Sequence, residues 1–79
     1  MWKVWRESNY YIQGELISKH SSEKAALKKA ATEIDFKHKI KEEDTEETVI
    51  WLEDEDRSPI GIITKQKGTK RIRQGKKKK

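Results

Sequence analysis

Cysteine is absent from this chain, proline occurs once, at Pro59, and phenylalanine once, at Phe36. Without thiols there is no disulfide to supplement the core, no thiolate metal site and no cysteine redox chemistry, and a reducing cytoplasm suits the composition. Long apolar runs are missing too. The N-terminal stretch "MWKVWRESNY" is broken by Lys3, Arg6 and Glu7, so it reads as neither signal peptide nor membrane span. There is no nucleophile signature such as G-x-S-x-G and no paired-histidine motif. The expectation is a cytoplasmic, non-enzymatic protein with no cofactor, no metal and no membrane partner.

What the chain does have is charge. Of its 79 residues 42% are charged and 32% hydrophobic, a balance near that of disordered segments. Trp2, Trp5, Trp51, Tyr10, Tyr11 and Phe36 offset this by supplying large apolar area from few positions. A chain of this length makes one domain with a thin core. The net charge of +5 conceals three blocks: +4 over residues 1–41, −7 over residues 42–66 and +8 over residues 67–79. The body alone is therefore net −3, and the basic character resides in the C-terminal segment.

The pattern along the chain predicts an α+β fold, a small antiparallel sheet of three to five strands with one helix on one face (ββαββ or ββαβββ). "WKVW" and "YYIQGELI" read as a hairpin joined by "RESN", with Tyr10, Ile12, Gly14 and Leu16 on the core face beside Val4. Gly14 in mid-strand marks a bulge or a close backbone approach. Ser21 and Ser22 are caps for the helix "EKAALKKAATE", whose apolar stripe is Leu27, Ala30, Ala31 and Ile34. For residues 34–41 period two fits better than continued helix, and both remain open. "KEEDTEET" reads as a loop or the frayed end of the preceding element, "TVIWLE" as strand, "DEDRSP" as turn and "IGIITK" as strand. The domain is expected over residues 1–66, with a flexible, disordered basic tail over residues 67–79.

Trp2 and Val4, the helical alanines Ala26 and Ala30, "VIWLEDED" and Gly61 together resemble a family of small uncharacterised bacterial ββαββ domains over about residues 1–65. The chain departs from that pattern in "DFKHKIKEEDTEE" and in its basic tail. The resemblance implies one helix on a small antiparallel sheet and is silent about activity. Double-stranded RNA-binding domains and the arm-binding domains of tyrosine integrases share this layout, an analogy of fold alone.

The C-terminal "KGTKRIRQGKKKK" carries eight cations and no acid: Lys67, Lys70, Arg71, Arg73, Lys76, Lys77, Lys78 and Lys79. Such a segment grips phosphate by counterion release, without fixed geometry and without sequence preference. The alternatives are an acidic protein partner or a solubility role. Trp5, Tyr11 and Trp51 fall opposite the core positions; on an uncovered sheet face they stack bases, or else they shield the sheet as cross-strand pairs. His20 reads as a turn residue, His38 as partly exposed structure, and "EDED" from Glu53 to Asp56 as a solvated acidic turn rather than a cation site. The function expected is a small nucleic-acid-binding accessory or regulatory protein of DNA or RNA. The alternative is a protein-interaction module acting through a sheet edge or the acidic segment.

Overall fold

The computed structural model describes residues 1–66. In chain order they form β1 (Trp2–Arg6), β2 (Glu15–His20), α1 (Glu23–Glu33), β3 (His38–Glu43), β4 (Glu47–Glu53) and β5 (Pro59–Gln66). The strands make one antiparallel sheet in the order β2-β1-β5-β4-β3. Three hairpins are thus closed into a single sheet by the pairing of the first strand with the last, with α1 lying over β1, β2 and β5. This is the ββαβββ form of the expected α+β fold.

The helix starts where its chemistry permits. Ser22 is the cap: its Oγ accepts the Ala25 N–H at 3.2 Å, its carbonyl accepts the Ala26 N–H, and Glu23 occupies the first turn near the positive end of the helix dipole. The helix stops at Ile34, which is already extended at φ −128° and ψ 124°. Ala26 and Ala30 have no exposed surface, and their small side chains let the helix lie close on the sheet. The core beneath is Val4, Ile34, Ile50, Leu52 and Ile63, flanked by Trp2, Ile17, Leu27, Phe36 and Ile60. Gly61 is part of this close approach, since a Cβ there would stand 2.6 Å from Ile34 Cδ1 and 3.0 Å from the Trp5 carbonyl oxygen.

Several expectations need correction. The buried helical stripe runs through Ala26, Ala30 and Ile34, and Ala31 faces solvent. The second strand begins at Glu15, so Tyr10, Ile12 and Gly14 are not on it, and Leu16 points away from the core. The cause is local. Asn9 Oδ1 accepts the N–H groups of Tyr11 and Ile12, and buried Ser8 donates its hydroxyl to the Gln13 carbonyl. These bonds hold residues 9–13 as a loop against their strand propensity. Gly14, at φ +84°, closes that loop under the Arg6 carbonyl, where any Cβ would collide. Of its two readings, close approach holds. The bulge lies at Ile17, the extra residue between the pairs Val4–Ser18 and Trp5–Leu16, and this slip turns Ile17 toward the core. Finally, Lys41, Glu42 and Glu43 belong to β3 rather than to a loop. The turn that follows is made by Asp44, whose Oδ1 accepts the N–H groups of Glu46 and Glu47. Residues 38–43 are strand, in line with the period-two reading.

Candidate functional site

The face of the sheet opposite α1 carries no second layer. Register alone determines what meets there. One row crosses all five strands: Leu16 on β2, Trp5 on β1, Ile62 on β5, Trp51 on β4 and Ile40 on β3, each directly opposite the next. The adjacent row, two residues along each strand and three along β2 because of its bulge, reads Lys19, Lys3, Thr64, Val49 and Glu42. The first row is wholly apolar. The second runs from two lysines at one edge to a carboxylate at the other.

Although no element covers this face, Ile62 and Thr64 are only 6% and 9% exposed. The two half-buried indoles beside them replace the missing layer. Trp5 donates its Nε1–H to Thr64 Oγ1 at 2.9 Å, and Trp51 donates its own to Glu42 Oε1 at 2.8 Å. Both indole donors are therefore satisfied inside the chain, as burial of such groups requires. Tyr10 reaches over from the loop to lie on Trp51, ring centres 5.1 Å apart and planes at 51°. Tyr11 is 94% exposed and sits on the loop rather than on a strand. Of the three aromatic candidates, Trp5 and Trp51 share the row across Ile62, while Tyr11 stands apart. The partner that the sequence pattern missed is Tyr10, assigned to the core and found covering Trp51.

The eight basic candidates Lys67, Lys70, Arg71, Arg73, Lys76, Lys77, Lys78 and Lys79 lie outside the described residues. The point from which they continue is described. Gln66 ends β5 opposite Glu47, at the end of the sheet where Lys3 and Lys19 stand opposite one another and Lys65 Nζ lies 5.5 Å from the centre of the Trp2 ring. Lys65 adds a cation–π contact there. The acids Glu42 and Glu47 occupy the β3–β4 side of that same end, whereas Glu53 to Asp56 lie at the opposite end, about 20 Å away along β4.

The acidic turn has a structural role. Asp54 Oδ1 accepts the N–H groups of Asp56 and Ser58, and Arg57 adopts φ +68°. Glu53 is 3% exposed, and Arg57 approaches its Oε1 at 3.6 Å, within ion-pair range but too far for a hydrogen bond. His20 ends β2, not a turn, with Nε2 2.8 Å from Ser18 Oγ; His38 opens β3 half-buried, opposite Glu53. Among the described residues no group of three or more His, Cys, Asp or Glu side chains is arranged to hold a metal ion, and no pocket opens. No helix among them is long and apolar enough to cross a membrane.

Among the ion pairs of the described residues, two raise the pKa of their cation. The Arg6 guanidinium bonds Glu15 at 3.0 Å and its pKa is raised by that bond; the Lys41 ammonium bonds Glu23 at 2.8 Å and is raised likewise. Lys41 thereby ties the β3 edge to the start of the helix.

One helix on a five-stranded antiparallel sheet, with indoles in place of a second layer, defines a small two-layer α+β protein. No known protein family, characterised protein or solved structure matches the chain.

Proposed function

We propose that this protein is a small non-enzymatic nucleic-acid-binding accessory or regulatory protein that contacts phosphates mainly through the eight cations of residues 67–79. The observation that carries the reading is charge segregation. The body over residues 1–66 is net −3, so the +8 segment that follows Gln66 is the strongest source of attraction to a polyanion, and Gln66 ends β5 at the end of the sheet bearing Lys3 and Lys19. Contacts of this kind release counterions and are blind to sequence. Base stacking on Trp5, Tyr11 and Trp51 is a subordinate element. The internal bonds of both indoles and the cover of Tyr10 over Trp51 favour a structural role for Trp5 and Trp51.

The test is a salt titration of binding to single- and double-stranded oligonucleotides. The intact chain is compared with a full-length variant in which the eight C-terminal cations are replaced by Gln. With six to eight phosphates engaged, log affinity for duplex falls against log salt with a slope of roughly −5 to −7 for the natural chain and is nearly flat for the variant. Equal binding by both would overturn the assignment.

A further inference from the structure

The two rows on the helix-free face have a property that neither has alone: they are complementary to their own image. We infer that this face is the interface of a homodimer, in which two sheets pack face to face about a two-fold axis lying between them parallel to β5. Such an axis exchanges the two sides of the sheet and keeps position along the strands. It sets β5 on β5 of the second copy, β1 on β4 and β2 on β3. In the apolar row Ile62, 6% exposed, stays beneath its flanking indoles on the axis, and the contact is made by Trp5 against the Trp51–Tyr10 pair of the second copy. Leu16 faces Ile40. Leu16 and Ile40 are 38% and 41% exposed, two of the larger apolar side chains left open by the single chain, and this arrangement covers one with the other.

The charged row selects the axis. Under the strand-parallel two-fold, Lys19 falls opposite Glu42 of the second copy, twice by symmetry, and Lys3 falls opposite Val49. A two-fold axis running across the strands instead lays Trp5 on Trp5 and leaves Lys3 and Lys19 without a carboxylate from Glu42. Aligned sheets pack about 10 Å apart with strand directions turned by about 30°, which displaces the edge strands by about 5 Å relative to one another. The flexible lysine stem spans that displacement. Five strands at about 4.8 Å and six residues at about 3.3 Å give a planar footprint of roughly 480 Å² per copy, near the lower limit of about 1,000 Å² in total for a specific interface, which is the size of a weak, reversible one.

The arrangement also bears on the proposed function without resting on it. With the axis along β5, both Gln66 residues emerge at the same end close to the axis. The basic segments of the two copies then start side by side and act on one polyanion as a bivalent unit, at an effective concentration on the order of millimolar.

Sedimentation equilibrium of the intact chain at physiological salt, from 1 to several hundred micromolar, tests the inference. The weight-average mass should rise from that of one chain, 9.4 kDa, toward twice that value. Lys19→Glu and Glu42→Lys should each weaken the dimer about 10-fold, since each removes two symmetric pairs and adds repulsion. The double variant Lys19→Glu, Glu42→Lys should recover to within about 3-fold of the natural chain. Within one chain these residues stand on opposite edge strands about 19 Å apart, well beyond the screening length of about 8 Å, so recovery arises only between copies. Thermal unfolding of each variant checks that the fold is intact. Should Glu42→Lys unfold through loss of its bond to Trp51, Leu16→Asp takes its place and is expected to weaken the dimer while leaving the fold in place. A mass that stays at one chain throughout overturns the proposal, as do unaffected single variants or a double variant that is merely additive. Quenching of tryptophan fluorescence by a single-stranded oligonucleotide bound to a monomer overturns it as well, and assigns the face to bases.

Discussion

The two faces of the sheet bury their apolar side chains by different means. On the helix side a second layer does the covering, and the residues beneath it are medium-sized aliphatics: Val4, Ile50, Leu52 and Ile63, none more than 2% exposed. On the other side the covering comes from within the sheet. Trp5 and Trp51 flank Ile62 and Thr64, and each is anchored by its indole N–H. An aliphatic core needs a partner layer to exclude water, whereas a large ring with one polar handle can roof its neighbours and still end on a hydrogen bond. A domain too small for three layers thereby keeps both faces of its sheet substantially dry, at the cost of leaving the outer side of Trp5 available for contact, Trp51 being overlain by Tyr10.

The contrast is broken most severely on the helix side. Leu52→Ala, at a position with no exposed surface, is expected to lose about 2–5 kcal/mol of stability by lost transfer energy and cavity formation. Chemical denaturation monitored by tryptophan fluorescence measures this. A domain of this size has little to spare, so the variant is expected to be partly unfolded at 37 °C.

A finer test compares the two indoles. Trp5→Phe and Trp51→Phe remove similar ring area, so their difference isolates the anchoring bonds. Thr64, at 9% exposed, loses a buried partner in the first variant, whereas exposed Glu42 regains water in the second. Trp5→Phe should therefore cost more, with an excess of roughly 0.5–1.5 kcal/mol in the same denaturation assay. Equal costs would show that both rings act through area alone.

The smallest effect belongs to the strut between β3 and α1. The bond from Lys41 to Glu23 raises the lysine pKa in the folded protein above its unfolded value. A raised value means that the stabilisation is complete below the unfolded pKa and is lost as pH rises through the folded one. The stability difference between the natural chain and Lys41→Met should thus be constant from neutral pH to about pH 9 and shrink above about pH 10.4. Thermal midpoints across that range check the sign, and a difference that grows with pH would refute it.

How far the fold was legible depended on the range of the interactions. The capping serine, the helix, β4 and β5 follow from neighbours within a few residues, where propensity and period suffice. "YYIQGELI" misled because its strand propensity is opposed by bonds from Asn9 and Ser8 that no periodicity records. In "HKIKEE" period two made the extended chain legible as far as Lys41, but Glu42 and Glu43 looked like loop because their charge is that of an edge strand, which tolerates and even benefits from lysine and glutamate along its rim. In the candidate site, Trp5 and Trp51 were legible as facing away from the core by strand parity. Tyr10 as the cover of Trp51 was not, since a loop and a strand 41 positions apart meet only in the folded chain.

The amino-acid sequence by itself determined the elements: where the helix starts, which strands are apolar, and that positive charge is concentrated after Gln66 while the body is acidic. These are local or additive properties, readable residue by residue. The tertiary structure alone decided which side chains are neighbours. The closing pair of β1 with β5 joins residues about 60 positions apart, and the bulge at Ile17 sets the phase of the edge strand. Together they align Leu16, Trp5, Ile62, Trp51 and Ile40, with the lysine-to-glutamate row beside them. A shift of one residue in any pairing would send one of these side chains to the opposite face, because side chains alternate along a strand. The rows, and the self-complementarity they create, exist only once the register is set.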